Sequence, residues 1–224
     1  NAVWENKRAV LIGDYMFANA MYIATQKEEH KLFDLISPTI MKMSLGELMQ
    51  LNTASESNFS EDVYFEVIEN KTASLISTCC EVGAYSVGAR TDEIELIKNF
   101  GLYCGMAFQI KDDILDYSTK AVTGKIAGND IVERKVTLPL IGAMKNASSI
   151  NAENVMQYWK NGKDNAYLIS LVSKFVHENK GIDYANEVML KYHEKAKKQL
   201  NQIQLGEAGK AMQNVLDFVV ERKN

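Results

Sequence analysis

The sequence has 224 residues, of which 46% are hydrophobic and 24% are charged, a composition that is ordinary for a globular protein with its own core. Its formal net charge is −4 and its pI is about 5.5, which argues against nucleic acid as the main partner because phosphate binding needs a basic surface. No stretch predicts a membrane span, and the first residues lack the pattern of a signal peptide.

The spacing of apolar residues is helical along the whole chain, and period-two alternation is hard to find. The sequence contains two prolines, no repeat and no low-complexity linker. We therefore predict an all-α fold, with residues 1–224 forming one domain. Polar, turn-like clusters separate the predicted helices near residues 25–31, 52–61, 88–92, 118–130, 145–152 and 160–165.

The first predicted helix contains "AVLIGDYMFANAMYIA", which is apolar on nearly every side. A helix of this kind belongs inside a bundle rather than on its surface. We therefore expect it to be buried.

The next segment of interest is "ENKTASLISTCCEVGA", residues 69–84, which places a lysine on an apolar stripe. Lys71 on such a stripe either extends its ammonium to the surface or reaches into a polar cavity, and Thr72 adds a hydroxyl donor beside it. The predicted stripe consists of Tyr64, Ile68, Leu75, Cys79 and Val82.

The chain has three cysteines, of which Cys79 and Cys80 are adjacent and Cys104 stands alone. This number and spacing fit neither a disulfide framework nor a zinc site. We interpret all three as reduced core residues of a cytoplasmic protein.

A long helix is predicted to begin near Thr91, which we interpret as its N-cap, and to end in "GMAFQIKDDILDY", residues 105–117. On a helical wheel with Asp112 at zero, Asp116 falls at about 40°, Gln109 at about 60° and Asp113 at about 100°. Ile110 and Ile114 lie on the opposite side. Carboxylates on one arc repel each other unless water or a cation neutralises them, so the arc is either a solvated acidic face or a site for a divalent cation.

The loop after this helix, "TGKIAGNDIVERKVTLPLI", contains Lys125 between Gly124 and Gly128, followed by Lys135. It is either an ordinary surface turn or a loop that closes over a phosphate, although it is not a Walker loop. Carboxylates for Mg²⁺ and lysines for phosphate oxygens together suit a diphosphate ester as substrate.

Five stretches occur in an order that closely resembles the trans-type isoprenyl diphosphate synthases, or polyprenyl synthetases. They are "GDYMFANA", "GELMQL", "KTASLISTCCEVGA", "FQIKDDILDY" and "GKIAGNDIVERKVTLPLI", and the resemblance extends from the first residues to about Gly142. It implies a helical bundle around a central cavity and a homodimer. It also implies Mg²⁺-assisted loss of diphosphate from an allylic prenyl diphosphate, whose cation is attacked by isopentenyl diphosphate.

The same resemblance assigns roles to individual residues. It implies that Asp112, Asp113 and Asp116 bind the metal, with Asp112 in direct contact. The residues implied to contact the allylic diphosphate or its metals are Lys71, Thr72, Gln109, Lys125 and Lys135. Phe108 matches an aromatic position near the isopentenyl site, Asp130 is expected to support the site indirectly, and Asp14 is expected to be a buried structural acid.

The first aspartate motif of the family, with the arginine pair that follows it, does not occur in this sequence. We therefore expect that the sequence begins partway through the family pattern. The alternative function is a non-catalytic or regulatory subunit of a heteromeric prenyl diphosphate synthase. A terpene cyclase ranks lower because its second metal motif is normally based on Asn, Ser and Glu. A ferritin-like protein is disfavoured because no histidine has Glu three residues before it.

Overall fold

The computed structural model describes residues 6–26, 30–56, 59–117 and 128–222. Within them the chain forms eleven α-helices and one π-helical turn, without a β-strand, so the all-α prediction is confirmed. The helices are α1 (Asn6–Gln26), α2 (His30–Glu56), α3 (Glu61–Ile68), α4 (Ser74–Ser86), α5 (Thr91–Asp116), α6 (Asn129–Val132), α7 (Leu138–Asn146), α8 (Ser149–Asn161), α9 (Asn165–Glu178), α10 (Gly181–Leu200) and α11 (Gly206–Glu221), and the π-helical turn is Glu69–Ala73.

Helix α5 lies at the centre, packed against α4 on one side and α10 on the other. Phe100, Met106 and Ile110 on this helix are buried in the main core. Gly105 lets the backbone of the π-helical turn come close, since a Cβ atom there would lie 2.6 Å from the Cα of Ala73. Helix α5 is therefore held by its neighbours over the turns that precede the aspartates.

A second core forms between α7, α8 and α9 around Trp159, which is 1% exposed. The ring of Phe59 meets the Trp159 ring edge-on at a centroid distance of 6.0 Å. Aromatic pairs in this arrangement add to the stabilisation that burial gives. This cluster supports the end of the molecule that carries α6 and the residues after it.

The start of α5 differs by one residue from the prediction. Its N-cap is Arg90 rather than Thr91, and the backbone N–H of Arg90 donates to the Glu93 side chain at 3.1 Å. The Glu93 carboxylate thus accepts from a backbone N–H that has no partner within the helix. This hydrogen bond outweighs the intrinsic preference for Thr as the N-cap residue.

The prediction for the first helix is wrong within the described residues. None of the residues of α1 is buried, and Tyr15 and Met16 are 71% and 66% exposed. Asp14, expected to be a buried structural acid, is exposed as well. Helix α1 packs mainly on α2, which itself exposes Met41 at 73%. An apolar sequence indicates that a helix needs cover, but not which part of the molecule supplies it.

The predicted stripe along residues 64–82 is interrupted. Tyr64 and Ile68 are buried, but Leu75 is 42% exposed and Cys79 is exposed, so Cys79 is not the core residue we expected. A π-helical turn holds an extra residue per turn and so rotates the helix that follows it. After this turn, the buried face of α4 runs through Ser74, Ser77 and Thr78 instead.

All three cysteines are free; Cys104 is buried and Cys80 is intermediate in exposure. Among the described residues, no helix is long and apolar enough to span a membrane.

Candidate active site

The aspartates at the end of α5 have different environments. Ile110 and Ile114 are 0% and 8% exposed, which confirms the apolar back of the helix. Asp113 is only 4% exposed, whereas the Asp112 side chain is 43% exposed. Asp116 is intermediate. The arc is therefore not a uniformly solvated acidic face, because one of its carboxylates is in the protein interior.

Each oxygen of the buried Asp113 carboxylate accepts a hydrogen bond. The Tyr64 hydroxyl donates to Oδ2 at 2.7 Å, and Nε2 of Gln109 donates to Oδ1 at 2.9 Å. Burial raises the pKa of Asp113 to about 7, and the negative charges on Asp130 and Asp112 act in the same direction. The two hydrogen bonds lower the pKa, but by less. Asp113 is thus held in one orientation.

Gln109 extends this arrangement to the π-helical turn. The Thr72 hydroxyl donates to Oε1 of Gln109 at 2.8 Å, so Thr72, Gln109, Asp113 and Tyr64 form one row of hydrogen bonds. The sequence predicted Thr72 and Gln109 as separate site residues, and the structure brings them together. We had placed Tyr64 on the apolar stripe, because no pattern in the sequence indicates that its hydroxyl bonds to a site residue.

Asp116 connects α5 to the segment after the loop. Its Oδ2 accepts the backbone N–H of Asp130 at 3.1 Å, and its backbone carbonyl accepts the N–H of Gly128 at 3.0 Å. Gly128 has φ of +86°, a left-handed conformation that favours glycine. Burial and the charge on Asp130 raise the pKa of Asp116 above its usual range.

Asp130 connects Lys135 to Asp116, because it bonds to both residues. Its ammonium donates to Asp130 Oδ1 at 3.0 Å and is 2.6 Å from Glu133 Oε2. Burial lowers the pKa of Lys135, but the bonds to Glu133 and Asp130 raise it by more, so the net pKa is raised. The ammonium therefore stays charged at neutral pH. Lys125, predicted to act beside it, lies outside the described residues and stays a prediction.

Lys71 forms contacts with α2 that the sequence did not indicate. Its ammonium donates to Gln50 Oε1 at 2.6 Å and lies 2.5 Å from Glu47 Oε2. Gly46 permits this approach, since a Cβ atom there would lie 2.6 Å from the backbone nitrogen of Lys71. Glu47 and Gln50 are three residues apart, a spacing that places them on one helix face and that could have suggested a shared partner.

Arg222, at the end of α11, is a further residue that the sequence did not indicate. Its guanidinium lies 4.1 Å from the centre of the Phe108 ring, and it donates to the Phe108 carbonyl at 3.0 Å. It also lies 3.4 Å from Oδ1 of Asp112. Burial lowers the pKa of Arg222, against the effect of Asp112. The face with the aspartates therefore includes the guanidinium of Arg222, the residue that follows α11.

No group of three or more His, Cys, Asp or Glu residues converges as a metal site in the part of the chain that the structure describes. This finding is compatible with a Mg²⁺ site, because Mg²⁺ binds through one or two carboxylates together with waters and substrate phosphates. Asp112 and Asp116, both partly accessible, fit that mode. Asp113 fits a supporting position, because both of its oxygens are already hydrogen-bonded.

An open groove of about 750 Å³ runs along α3 and α10 and is lined in part by Glu61, Phe65 and Tyr192. Of the predicted site residues that the structure describes, none lines this groove. The aspartates and lysines described above thus form a separate polar surface.

The chain resembles known proteins in both sequence and structure. A model of the polyprenyl synthetase family matches residues 1–175. Heptaprenyl diphosphate synthase component 2 of Bacillus subtilis (strain 168) is 31% identical over 99% of this chain, and octaprenyl diphosphate synthase of Haemophilus influenzae is 32% identical over 92% of it. The crystal structure of a polyprenyl synthase from Caulobacter crescentus CB15, complexed with calcium and isoprenyl diphosphate, superposes with a TM-score of 0.87 at 29% identity, covering 100% of this chain and 68% of that one.

The fold and the site define a class of all-α bundles that carry aspartates at the end of the central helix and lysines on neighbouring segments. The chain belongs to the polyprenyl synthetase family. It spans 63% and 61% of the lengths of the Bacillus and Haemophilus relatives. The similarity continues beyond Gly142, the residue at which the motif resemblance ended.

Proposed function

We propose that the intact protein is a Mg²⁺-dependent trans-prenyltransferase, which condenses an allylic prenyl diphosphate with isopentenyl diphosphate to a longer trans-polyprenyl diphosphate. The observation that carries this proposal is the row Thr72–Gln109–Asp113 beside Asp112 and Asp116 in a chain of the polyprenyl synthetase family. Residues 1–224 would act as part of one domain.

The carboxylates would share the metal in unequal ways. Asp112 and Asp116 would hold Mg²⁺, while Asp113, the third predicted ligand, would orient its neighbours from its buried position. Bound Mg²⁺ would offset the negative charge that grows on the departing diphosphate. The calcium and isoprenyl diphosphate in the Caulobacter structure support divalent-metal use by a relative.

The cationic and polar side chains would bind the diphosphate. Lys71, Lys135 and, from its loop, Lys125 would pair with phosphate oxygens. Thr72 and Gln109 would contribute hydrogen bonds at the edge of the site. Phe108 would lie near isopentenyl diphosphate.

These contacts would favour ionisation of the allylic substrate. The carbon–oxygen bond breaks, diphosphate leaves with the electron pair, and the double bond of isopentenyl diphosphate attacks the resulting allylic cation. A proton is then lost to restore a double bond. The lysines stabilise the leaving group's charge, and apolar surroundings keep water from the cation.

The exposed apolar surface of α1 and α2 supports an oligomer. We propose a homodimer in the cytoplasm, with this surface covered in the intact protein. The second candidate is a subunit of a heteromeric synthase, supported by the relative that is named component 2. Size-exclusion chromatography with light scattering on the native complex separates the two, since a heteromer would contain a second polypeptide.

Elongation by the intact protein tests the proposed activity directly. Incubation with Mg²⁺, radiolabelled isopentenyl diphosphate and geranyl, farnesyl or geranylgeranyl diphosphate should give longer prenyl diphosphates, and a chelator should stop the reaction. Absence of elongation with each of these primers would overturn the proposal.

A further inference from the structure

Both described lysines that we expect to bind diphosphate are already paired with a glutamate. Lys71 lies 2.5 Å from Glu47 Oε2, and Lys135 lies 2.6 Å from Glu133 Oε2. The two glutamates come from different elements, α2 and the end of α6. The same pairing therefore arises twice, independently.

In each pair the glutamate is more exposed than the lysine. Glu47 is 53% exposed against 32% for Lys71, and Glu133 is 49% exposed against 26% for Lys135. A half-exposed carboxylate can turn into water at little cost in solvation. The second carboxylate on Lys135 differs, since Asp130 is 21% exposed and its backbone N–H is tied to Asp116.

Both pairs lie beside the arc of α5 that carries the aspartates. Lys71 precedes the threonine that donates to Gln109, and Lys135 pairs with the aspartate whose backbone N–H donates to Asp116. Gln109 and Asp116 are about two helical turns apart on the same face of α5. A ligand with several negative oxygens between the two ammonium groups could replace both glutamates.

We propose that Glu47 and Glu133 are placeholder anions, which pair with Lys71 and Lys135 until a diphosphate displaces them. This inference rests on the proposed function and deepens it. Binding is then an exchange, in which each glutamate turns to solvent as phosphate oxygens take over its lysine. The placeholders lower the affinity for phosphate groups, because a monophosphate must displace one of them and a diphosphate must displace both. They act through the lysines, as anions that compete with the substrate's phosphate oxygens.

Calorimetric titration of the intact protein with inorganic pyrophosphate in Mg²⁺ tests this exchange. Glu47→Gln and Glu133→Gln should each tighten pyrophosphate binding about two- to fivefold, the range expected for the loss of one competing, partly exposed ion pair. Each should tighten phosphate binding by no more than this factor, because removal of one glutamate spares either ligand at most one displacement.

A matched control is available on α11, where Glu207 pairs with the Lys210 ammonium at 2.8 Å. Glu207→Gln makes the same change in charge and breaks the same kind of pair, so pyrophosphate affinity should stay within experimental error. Glu47→Asp keeps the negative charge, so it should retain wild-type affinity and show that charge rather than chain length is responsible.

Unchanged or weaker pyrophosphate binding by both glutamine variants would overturn the proposal, because the glutamates would then only hold the lysines in place. Equal tightening by Glu47→Asp, or by the Glu207→Gln control, would overturn it too. If the wild type elongates prenyl chains while these results appear, the inference fails and the function stands. If the wild type neither elongates nor binds pyrophosphate, the function itself fails.

Discussion

Replacing Gly105 with alanine should push the central helix away from the π-helical turn. The added Cβ would lie 2.6 Å from the Cα of Ala73 and 3.0 Å from its Cβ, both tighter than van der Waals contact allows. A backbone atom cannot rotate away as a side chain can, so the two elements must separate. The hydrogen bond from Thr72 to Gln109 crosses this junction at 2.8 Å and would lengthen.

The magnitude follows from two opposing effects. Overpacking of this kind costs about 1–3 kcal/mol. Alanine in place of glycine within a helix returns about 0.5–1 kcal/mol. Gly105→Ala should therefore lower the free energy of unfolding by about 1 kcal/mol, the difference between the middle values of the two ranges. At Gly83 in α4, an added Cβ would meet no atom of the described residues within 4 Å beyond its own stretch of helix, so Gly83→Ala should raise the free energy of unfolding by the helix contribution alone.

Urea denaturation of the intact protein, followed by circular dichroism, measures both changes. The two variants should shift the midpoint in opposite directions, and Gly105→Ala should also raise KM for the allylic diphosphate. Equal stability of Gly105→Ala and Gly83→Ala would show instead that the close approach to Ala73 carries no cost.

Three further substitutions address separate features. Asp112→Ala should lower kcat/KM for elongation about 10³-fold by removing a metal contact, and wild-type turnover in a steady-state assay would exclude that role. Tyr64→Phe should cost about 1–3 kcal/mol in urea unfolding, because it leaves a buried carboxylate oxygen without a donor; unchanged stability would contradict this. Burial raises the pKa of Glu61, but hydrogen bonds from Lys145 and Tyr184 lower it by more, so its stabilisation is lost as pH falls through the folded pKa. Glu61→Gln should thus lower the melting temperature in calorimetry at pH 7 but hardly at pH 3, whereas equal losses at both would count against the pairing.

The sequence was sufficient for the elements whose signal is local. Apolar spacing predicted the helical fold, and the wheel of residues 105–117 correctly placed Ile110 and Ile114 in the core. It placed Asp113 with its neighbours on one arc, but it could not tell that Asp113 is buried. That depends on Tyr64, which lies 49 positions earlier and reaches the carboxylate through tertiary packing.

Of the remaining errors, those at α1 and Arg222 arise from long-range packing, and the one at Leu75 arises from local helix geometry. Helix α1 carries the composition of a buried helix, yet composition cannot say which surface covers it. Arg222 reaches Phe108 across 114 positions, a contact for which no short pattern exists. Leu75 was predicted on the wrong face because a regular 3.6-residue period was assumed through Glu69–Ala73, where the helix widens.

That widened turn constrains how the segment can vary in length. Removal of one residue between Glu69 and Ala73 would let the helix relax to ordinary α geometry, which is the more favourable form. The relaxation would change the angular positions of Lys71 and Thr72 relative to α4 and so alter their approach to α5. A neutral-looking deletion there would thus disconnect the row of hydrogen bonds without changing any of its residues. The count of residues in this turn is as much a requirement of the site as their identity.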